Sequence, residues 1–85
     1  AITLNNLAWA LSELEDTRAL EVAKRAHALA PDQAGTLDTY GWILFKLRDY
    51  QGSLEKLERA AIIAPDNQNI LEHLKVVRQA LESDS

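Results

Sequence analysis

The chain has 85 residues, enough for one small domain, and a single core of this size is only modestly stable. Its 13 acidic and 9 basic residues give a net charge of -4, which argues against nucleic acid and anionic membranes and favours an apolar or mildly basic protein or peptide partner. Cysteine is absent, which excludes a disulfide framework and a thiolate metal site, and no apolar run is long enough for insertion into a membrane.

The first predicted element is a helix over residues 2–14, followed by a second helix from Thr17 to Leu29. In each segment the apolar residues recur at spacings of three and four, so they share one face, and we expect that face to be core. The core residues predicted in this way are Leu4, Leu7, Ala8, Leu11, Leu14, Leu20, Ala23, Ala26 and Leu29. Asp16 and Thr17 are expected to cap the second helix, and Pro31 ends it.

The next stretch, residues 34–67, repeats the first. It predicts a helix from Thr36 to Leu47, a polar turn, a helix from Gln51 to Ile63 and a stop at Pro65, with Asp32 as the cap that precedes it. A shift of about 34 residues brings this stretch onto the first unit, and such a period indicates a helical repeat. The positions that coincide are Leu37, Tyr40, Gly41, Trp42, Leu44, Ala60, Pro65 and Asp66 with Leu4, Leu7, Ala8, Trp9, Leu11, Ala26, Pro31 and Asp32.

Residues 68–82 predict a last helix with a single apolar stripe. Lys75 and Arg78 occupy the positions of Gly41 and Leu44 in the preceding unit, so this face is too charged to receive another helix. We therefore expect a capping helix, with residues 83–85 as a frayed tail. The chain contains no methionine and begins inside its first unit, which predicts a fragment of a longer repeat array.

The two units resemble tetratricopeptide (TPR) repeats. The matching positions are Leu37, Tyr40, Gly41, Leu44, Ser53, Leu57, Ala60 and Pro65 in the second unit, and Leu4, Leu7, Ala8, Leu11, Ala19, Ala23, Ala26 and Pro31 in the first. The resemblance implies an all-α, right-handed α-α superhelix, a TPR solenoid with repeats at 1–33 and 34–67 and a C-terminal capping helix. It also implies a scaffold for protein–protein interaction. The amino-acid sequence around Trp42 resembles that of TPR proteins of bacterial envelopes and secretion systems. This resemblance favours a location in the bacterial periplasm or envelope, with the cytoplasm as the alternative.

In such a stack the first helix of each unit lines a concave groove. From helical spacing, the residues expected to face it are Ile2, Asn5, Trp9, Ser12, Asp38, Thr39, Trp42, Phe45, Lys46, Asn69, Glu72, His73, Val76 and Gln79. Trp9, Trp42 and Val76 are equivalent and should stand side by side. An aromatic strip of this kind is a candidate contact surface for a peptide. The alternative is that the two tryptophans only fill the groove by stacking on each other and on Phe45.

The groove positions also indicate the kind of ligand. TPR domains that clamp a carboxylate use lysines and an arginine, whereas the matching positions here are Asn5, Trp9, Thr39, Asn69 and His73. The groove is therefore expected to bind an extended or helical peptide, with asparagine side chains bonding its backbone.

Nothing in the sequence predicts an enzyme, a metal site or a cofactor. His27 and His73 fall on different sides of the predicted stack, His27 being expected at the surface and His73 as a hydrogen-bonding group of the groove or a neutral filler. Self-association is the competing function, since Leu4, Ala10 and Leu14 of the uncapped first helix pair could form a homodimer.

Overall fold

The computed structural model describes the backbone of residues 2–84 and the side chains of residues 4–83, and within that range the protein is all-α. The five helices are α1 (Ile2–Glu13), α2 (Ala19–Leu29), α3 (Ala34–Lys46), α4 (Tyr50–Ile63) and α5 (Gln68–Asp84). This confirms the all-α class and the predicted number of helices. The side chain of Ile2, a predicted groove residue, and Ser85, part of the predicted tail, lie outside the described residues.

The largest differences in helix bounds lie at the starts of α2 and α3 and at the end of α5. α2 begins at Ala19 rather than Thr17, and α3 begins at Ala34 rather than Thr36. The predicted tail was wrong for residues 83 and 84, because α5 continues through Asp84.

The helix α1 and the helix α3 end in the same way. Glu15 and Arg48, which follow them, have positive φ angles of 58° and 68°. The next N–H group reaches back to a carbonyl five residues earlier, from Asp16 to Leu11 at 2.8 Å and from Asp49 to Leu44 at 2.9 Å. Such a left-handed residue satisfies the free carbonyls of a helix end and turns the chain sharply. The two sharp turns occupy equivalent positions in the two units, as the repeat of the sequence predicts.

The helix α3 is central in the packing. Each helix contacts the next one along the chain, and α3 also contacts α1 and α5. Among the described residues, the backbones of α1 and α5 do not pack on each other, and the two helices meet through the side chains of Trp9 and His73. The core is accordingly a series of three clusters rather than one centre. Their buried members are Ala8, Leu11, Ala19, Ala23 and Ile43; Leu37, Ala60 and Ile70; and Leu57, Leu74 and Val77.

Three leucines that were predicted to be core are exposed. Leu7, Leu14 and Leu29 have 46%, 76% and 68% of their surface accessible, so that prediction was wrong. The buried cluster where α1 and α2 meet is formed instead by Leu11 and the alanines Ala8, Ala19 and Ala23, together with Ile43 of α3. Small polar side chains fill the remaining interior, and Ser12, Thr36, Thr39 and Ser53 are all buried.

The small residue predicted at position 41 does mark a close approach. A Cβ atom at Gly41 would lie 2.8 Å from Cγ of Leu57 and 3.3 Å from Cβ of Lys56, so α3 and α4 touch here. Contacts under about 3.5 Å between carbon atoms are repulsive, which explains why the position has no side chain.

The caps predicted for α2 and α3 are not formed. The N-cap of α2 is Arg18 rather than Asp16 or Thr17, and it has no side-chain bond. Asp32 does not cap α3, whose N-cap is Gln33 without a side-chain bond, and it lies instead 3.5 Å from Arg59. The helices α4 and α5 are capped by the side chains of Asp49 and Asn67, which accept from the N–H groups of Gly52 and Ile70 at 3.0 and 3.2 Å. Within residues 2–84, no helix has both the length and the apolar character required to cross a bilayer.

Candidate functional site

An aromatic cluster joins α1, α3, α4 and α5. It consists of Trp9, Trp42, Phe45, Tyr50 and His73. The indole of Trp42 stacks on the imidazole of His73 with 4.1 Å between ring centroids, and on Phe45 with 4.8 Å. Stacked pairs at these distances stabilise beyond their buried area by roughly 0.5–1.5 kcal/mol. Trp42 is therefore held in place on both sides and is only partly accessible.

Trp9 is the open member of the aromatic cluster. Its ring centroid lies 6.5 Å from that of His73, and 37% of its surface is accessible. The two tryptophans each contact His73, which differs from the expected side-by-side row of Trp9, Trp42 and Val76. Val76, on α5, is 39% exposed. Trp42 thus stacks on Phe45 and His73 rather than on Trp9, and Trp9 is the more exposed of the two tryptophans.

A polar cavity of about 450 Å³ adjoins Trp9, between the N-terminal halves of α1 and α3 and the start of α5. Of the predicted groove residues, Asn5, Trp9, Asp38, Thr39, Asn69 and His73 line it, whereas Trp42, Phe45 and Val76 do not. The complete lining is Asn5, Asn6, Trp9, Gly35, Asp38, Thr39, Asn67, Asn69, Ile70 and His73.

A short hydrogen bond joins Asp38 to His73 across this cavity. The distance from Asp38 Oδ1 to His73 Nδ1 is 2.7 Å, and the two side chains are 15% and 19% exposed. A carboxylate can only accept, so the imidazole donates from Nδ1 in this bond. When the ring is neutral, its other nitrogen, Nε2, is then an acceptor. The pairing was not predicted, although both residues were placed in the groove. The sequence does contain a basis for predicting the pairing of Asp38 with His73. The helices α3 and α5 start one repeat period apart, so their N-terminal parts are expected to lie alongside each other.

Hydrogen-bonding capacity remains free in the polar cavity. The side-chain oxygen of Asn5 is buried, and among the described residues it has no partner. Thr39 donates its hydroxyl to the carbonyl of Gly35 at 3.1 Å, so the hydroxyl oxygen is left as an acceptor. A buried polar atom without a partner costs free energy that a bound ligand can recover.

A second cavity of about 330 Å³, here called the loop cavity, lies where the turn between α1 and α2 meets the end of α3. It is lined by Ser12, Glu15, Asp16, Thr17, Ala19, Ile43, Lys46 and Leu47. The Oγ atom of Ser12 is buried and among the described residues has no partner, while Lys46 donates from Nζ to the Ser12 carbonyl at 3.3 Å. At the rim, hydrogen bonds from Arg18 hold the pKa of Asp16 down at about 2, so this carboxylate remains charged.

The two cavities lie on either side of the tryptophans along the helices. Asn5 and Ser12 mark them on α1, with Trp9 between, and Asp38 and Lys46 mark them on α3. At 1.5 Å per residue these positions are about 10–12 Å apart along each helix axis. An extended chain of about three residues covers that distance.

The second histidine lies away from both cavities. His27, on α2, makes an edge contact with Tyr40 at 5.5 Å between ring centroids, and burial, followed by the charges of Lys56 and Arg59, lowers the pKa of its imidazole. Among the described residues, no three side chains of the usual ligand types come together in a way that could hold a metal ion.

No protein-family model matches the chain, and no curated protein matches it in sequence.

Proposed function

We propose that the protein is a TPR-type scaffold module that binds an extended segment of a partner protein across the aromatic cluster. The observation that supports this proposal is the partly exposed indole of Trp9, which lines a polar cavity beside an unpaired hydrogen-bonding group of Asn5. The internal repeat of the sequence and the recurrence of the same sharp turn after α1 and α3 support the repeat architecture.

The chemistry of the surface fits a peptide. Trp is enriched among the few residues that dominate interfaces, because a large rigid ring buries much apolar area at little entropic cost. Asparagine side chains can both donate to and accept from a peptide backbone, and Asn5, Asn6 and Asn69 are placed around the polar cavity. Apolar contact with Trp9 and backbone bonding beside it are the two requirements of an extended ligand.

The test compares Trp9→Ala with Ile62→Ala. Ile62 lies on α4, is 79% exposed and serves as a control loss of apolar surface away from the polar cavity and the loop cavity. Peptides are first selected on the parent protein from a random library displayed on phage, and the affinities of the enriched sequences are measured by calorimetry. We expect Trp9→Ala to weaken binding by about 2 kcal/mol, close to 30-fold, and Ile62→Ala to leave it unchanged.

Circular dichroism provides the fold control, since removing one exposed indole should leave the helical signal intact. Trp42→Ala is less informative, because it also removes the stack on His73 and Phe45. The proposal fails if the selected peptides bind Trp9→Ala as tightly as the parent, or if Ile62→Ala is the variant that loses them.

Self-association is the second candidate function, and a separate observation favours it. Leu7, Ala10 and Leu14 are exposed at spacings of three and four, the first two on α1 and Leu14 directly after its end, so a second copy of the chain could pair with this face. Light scattering distinguishes the two functions. A mass that stays near 9.5 kDa at every concentration excludes the dimer. A mass that rises with concentration in the parent but not in Leu14→Ser supports it.

A further inference from the structure

The polar cavity has the chemistry to recognise a cation, and we infer that it takes the guanidinium group of an arginine in the bound peptide. This inference rests on the proposed function and names the side chain that the same site selects. The charge of the cavity is the first argument. Asp38 is its carboxylate, and the described residues that line it include no lysine or arginine, so His73 is the one lining side chain paired with that carboxylate.

The free acceptors are the second argument. His73 occupies one oxygen of Asp38, which leaves the other, Oδ2, without a protein donor among the described residues. The buried oxygen of Asn5 is a further acceptor without a partner. A guanidinium carries five N–H donors in a fixed plane and accepts no hydrogen bond, so it can satisfy several such oxygens together.

The third argument is the shape of the entrance. The open ring of Trp9 lines the cavity, and a planar guanidinium stacks on an indole face through both cation–π attraction and surface contact. An ammonium group lacks this planar match. Arginine is therefore the better fit of the two basic side chains.

An anionic ligand is the opposite possibility, because the first turns of α3 and α5 border the cavity and helix N-termini attract anions. A carboxylate in this space would, however, meet the full charge of Asp38 at short range. One of the N–H groups at the start of α5 is also already satisfied, since the side chain of Asn67 accepts from the Ile70 N–H at 3.2 Å. The balance favours the cation, and the experiment includes an anionic probe.

The experiment titrates three small probes into isotopically labelled protein and follows the amide signals by NMR. The probes are the N-acetyl, N′-methylamide derivatives of arginine, citrulline and glutamate. Citrulline has nearly the shape of arginine without its charge. We expect the arginine derivative to shift the amides of Gly35 and Asp38 and the indole N–H of Trp9 in a saturable way, and to bind about fivefold or more tightly than the citrulline derivative, the effect of one partly solvated ion pair.

Two variants assign that difference to one carboxylate. Asp38→Asn should bring the arginine and citrulline derivatives to equal affinity. Glu21→Gln removes the same charge from the exposed surface of α2, away from the cavity, and should preserve the difference. If Asp38→Asn does not fold, the comparison of arginine with citrulline in the parent protein still decides the question.

The inference is overturned if citrulline binds as well as arginine, if the glutamate derivative binds more tightly than either, or if arginine produces no saturable shift at the cavity. These results are distinct from failure of the proposed function. Selected peptides that depend on Trp9 but bind equally with citrulline in place of arginine would refute only the cation site. Arginine-dependent shifts without any peptide that depends on Trp9 would refute only the peptide groove.

Discussion

Replacing Gly41 by alanine tests the close contact between α3 and α4. The new Cβ atom would lie 2.8 Å from Cγ and 3.2 Å from Cδ2 of Leu57, a side chain that is completely buried. Cγ is the branch point of the leucine, so it cannot swing away as the end of a long side chain would. Overpacking of this kind costs about 1–3 kcal/mol, against which alanine gains up to about 1 kcal/mol in helix propensity over glycine.

A second glycine of the same helix provides the control. A Cβ atom at Gly35 would have its nearest neighbour, Nδ2 of Asn5, at 3.9 Å, which is an ordinary contact. The propensity gain applies to Gly35→Ala as well, so the difference between the two variants isolates the overpacking. We expect Gly35→Ala to match or exceed the stability of the parent, and Gly41→Ala to be about 1–3 kcal/mol less stable than Gly35→Ala.

Urea denaturation followed by circular dichroism measures both values. In a domain of this size the expected difference corresponds to about 4–8 °C in melting temperature for each kcal/mol. Gly41→Leu should cost more than Gly41→Ala, because it adds three further carbon atoms to the same seam. Equal unfolding midpoints for Gly41→Ala and Gly35→Ala would show that the helices are not in tight contact at this point, and would refute the reasoning.

Two further predictions concern single polar groups. Asp49→Ala should lower the free energy of unfolding by about 1 kcal/mol, since Asp49 caps α4 through the Gly52 N–H, while Asp66→Ala, which removes a charge from an exposed turn, should change it little in the same urea assay. The pKa of His27 is lowered in the folded state, so the unfolded chain binds a proton at this imidazole more readily than the folded chain does. The protein should therefore lose stability as the pH falls below the ordinary histidine pKa of 6.5. Thermal melts across that pH range should show a smaller loss for His27→Gln. Identical pH profiles for His27→Gln and the parent would contradict the second prediction.

The sequence predicts the helices well because the spacing of its apolar residues and the positions of its helix-ending residues agree with each other. Apolar spacing, Pro31 and Pro65 together give five helices, and the internal repeat is matched by the sharp turns at Glu15 and Arg48. The core was less predictable. Spacing shows which face of α1 is apolar, but Leu7 and Leu14 are exposed because burial depends on how near α2 comes and on how many neighbours a helix has.

The candidate site was predicted at the level of helix faces and not at the level of contacts. Helical spacing places Asn5, Trp9 and His73 on one side of the structure, and all three line the polar cavity. It does not give the contact of His73 with both tryptophans, because side chains in a helix lean toward its N-terminus and their reach depends on their length. The equivalent position, Val76, therefore stays outside the aromatic cluster.

The position of α3 between α1 and α5 has a consequence for cooperativity. Among the described residues the backbones of the outer two helices do not pack on each other, and the ring contact between Trp9 and His73 is a direct link between them, so their motions are coupled mainly through α3. The polar cavity is the place where side chains of all three helices converge. A molecule held there would add a second link between α1 and α5 beside the contact of Trp9 with His73. Occupancy should therefore slow amide hydrogen exchange in α1 and α5 at the same time.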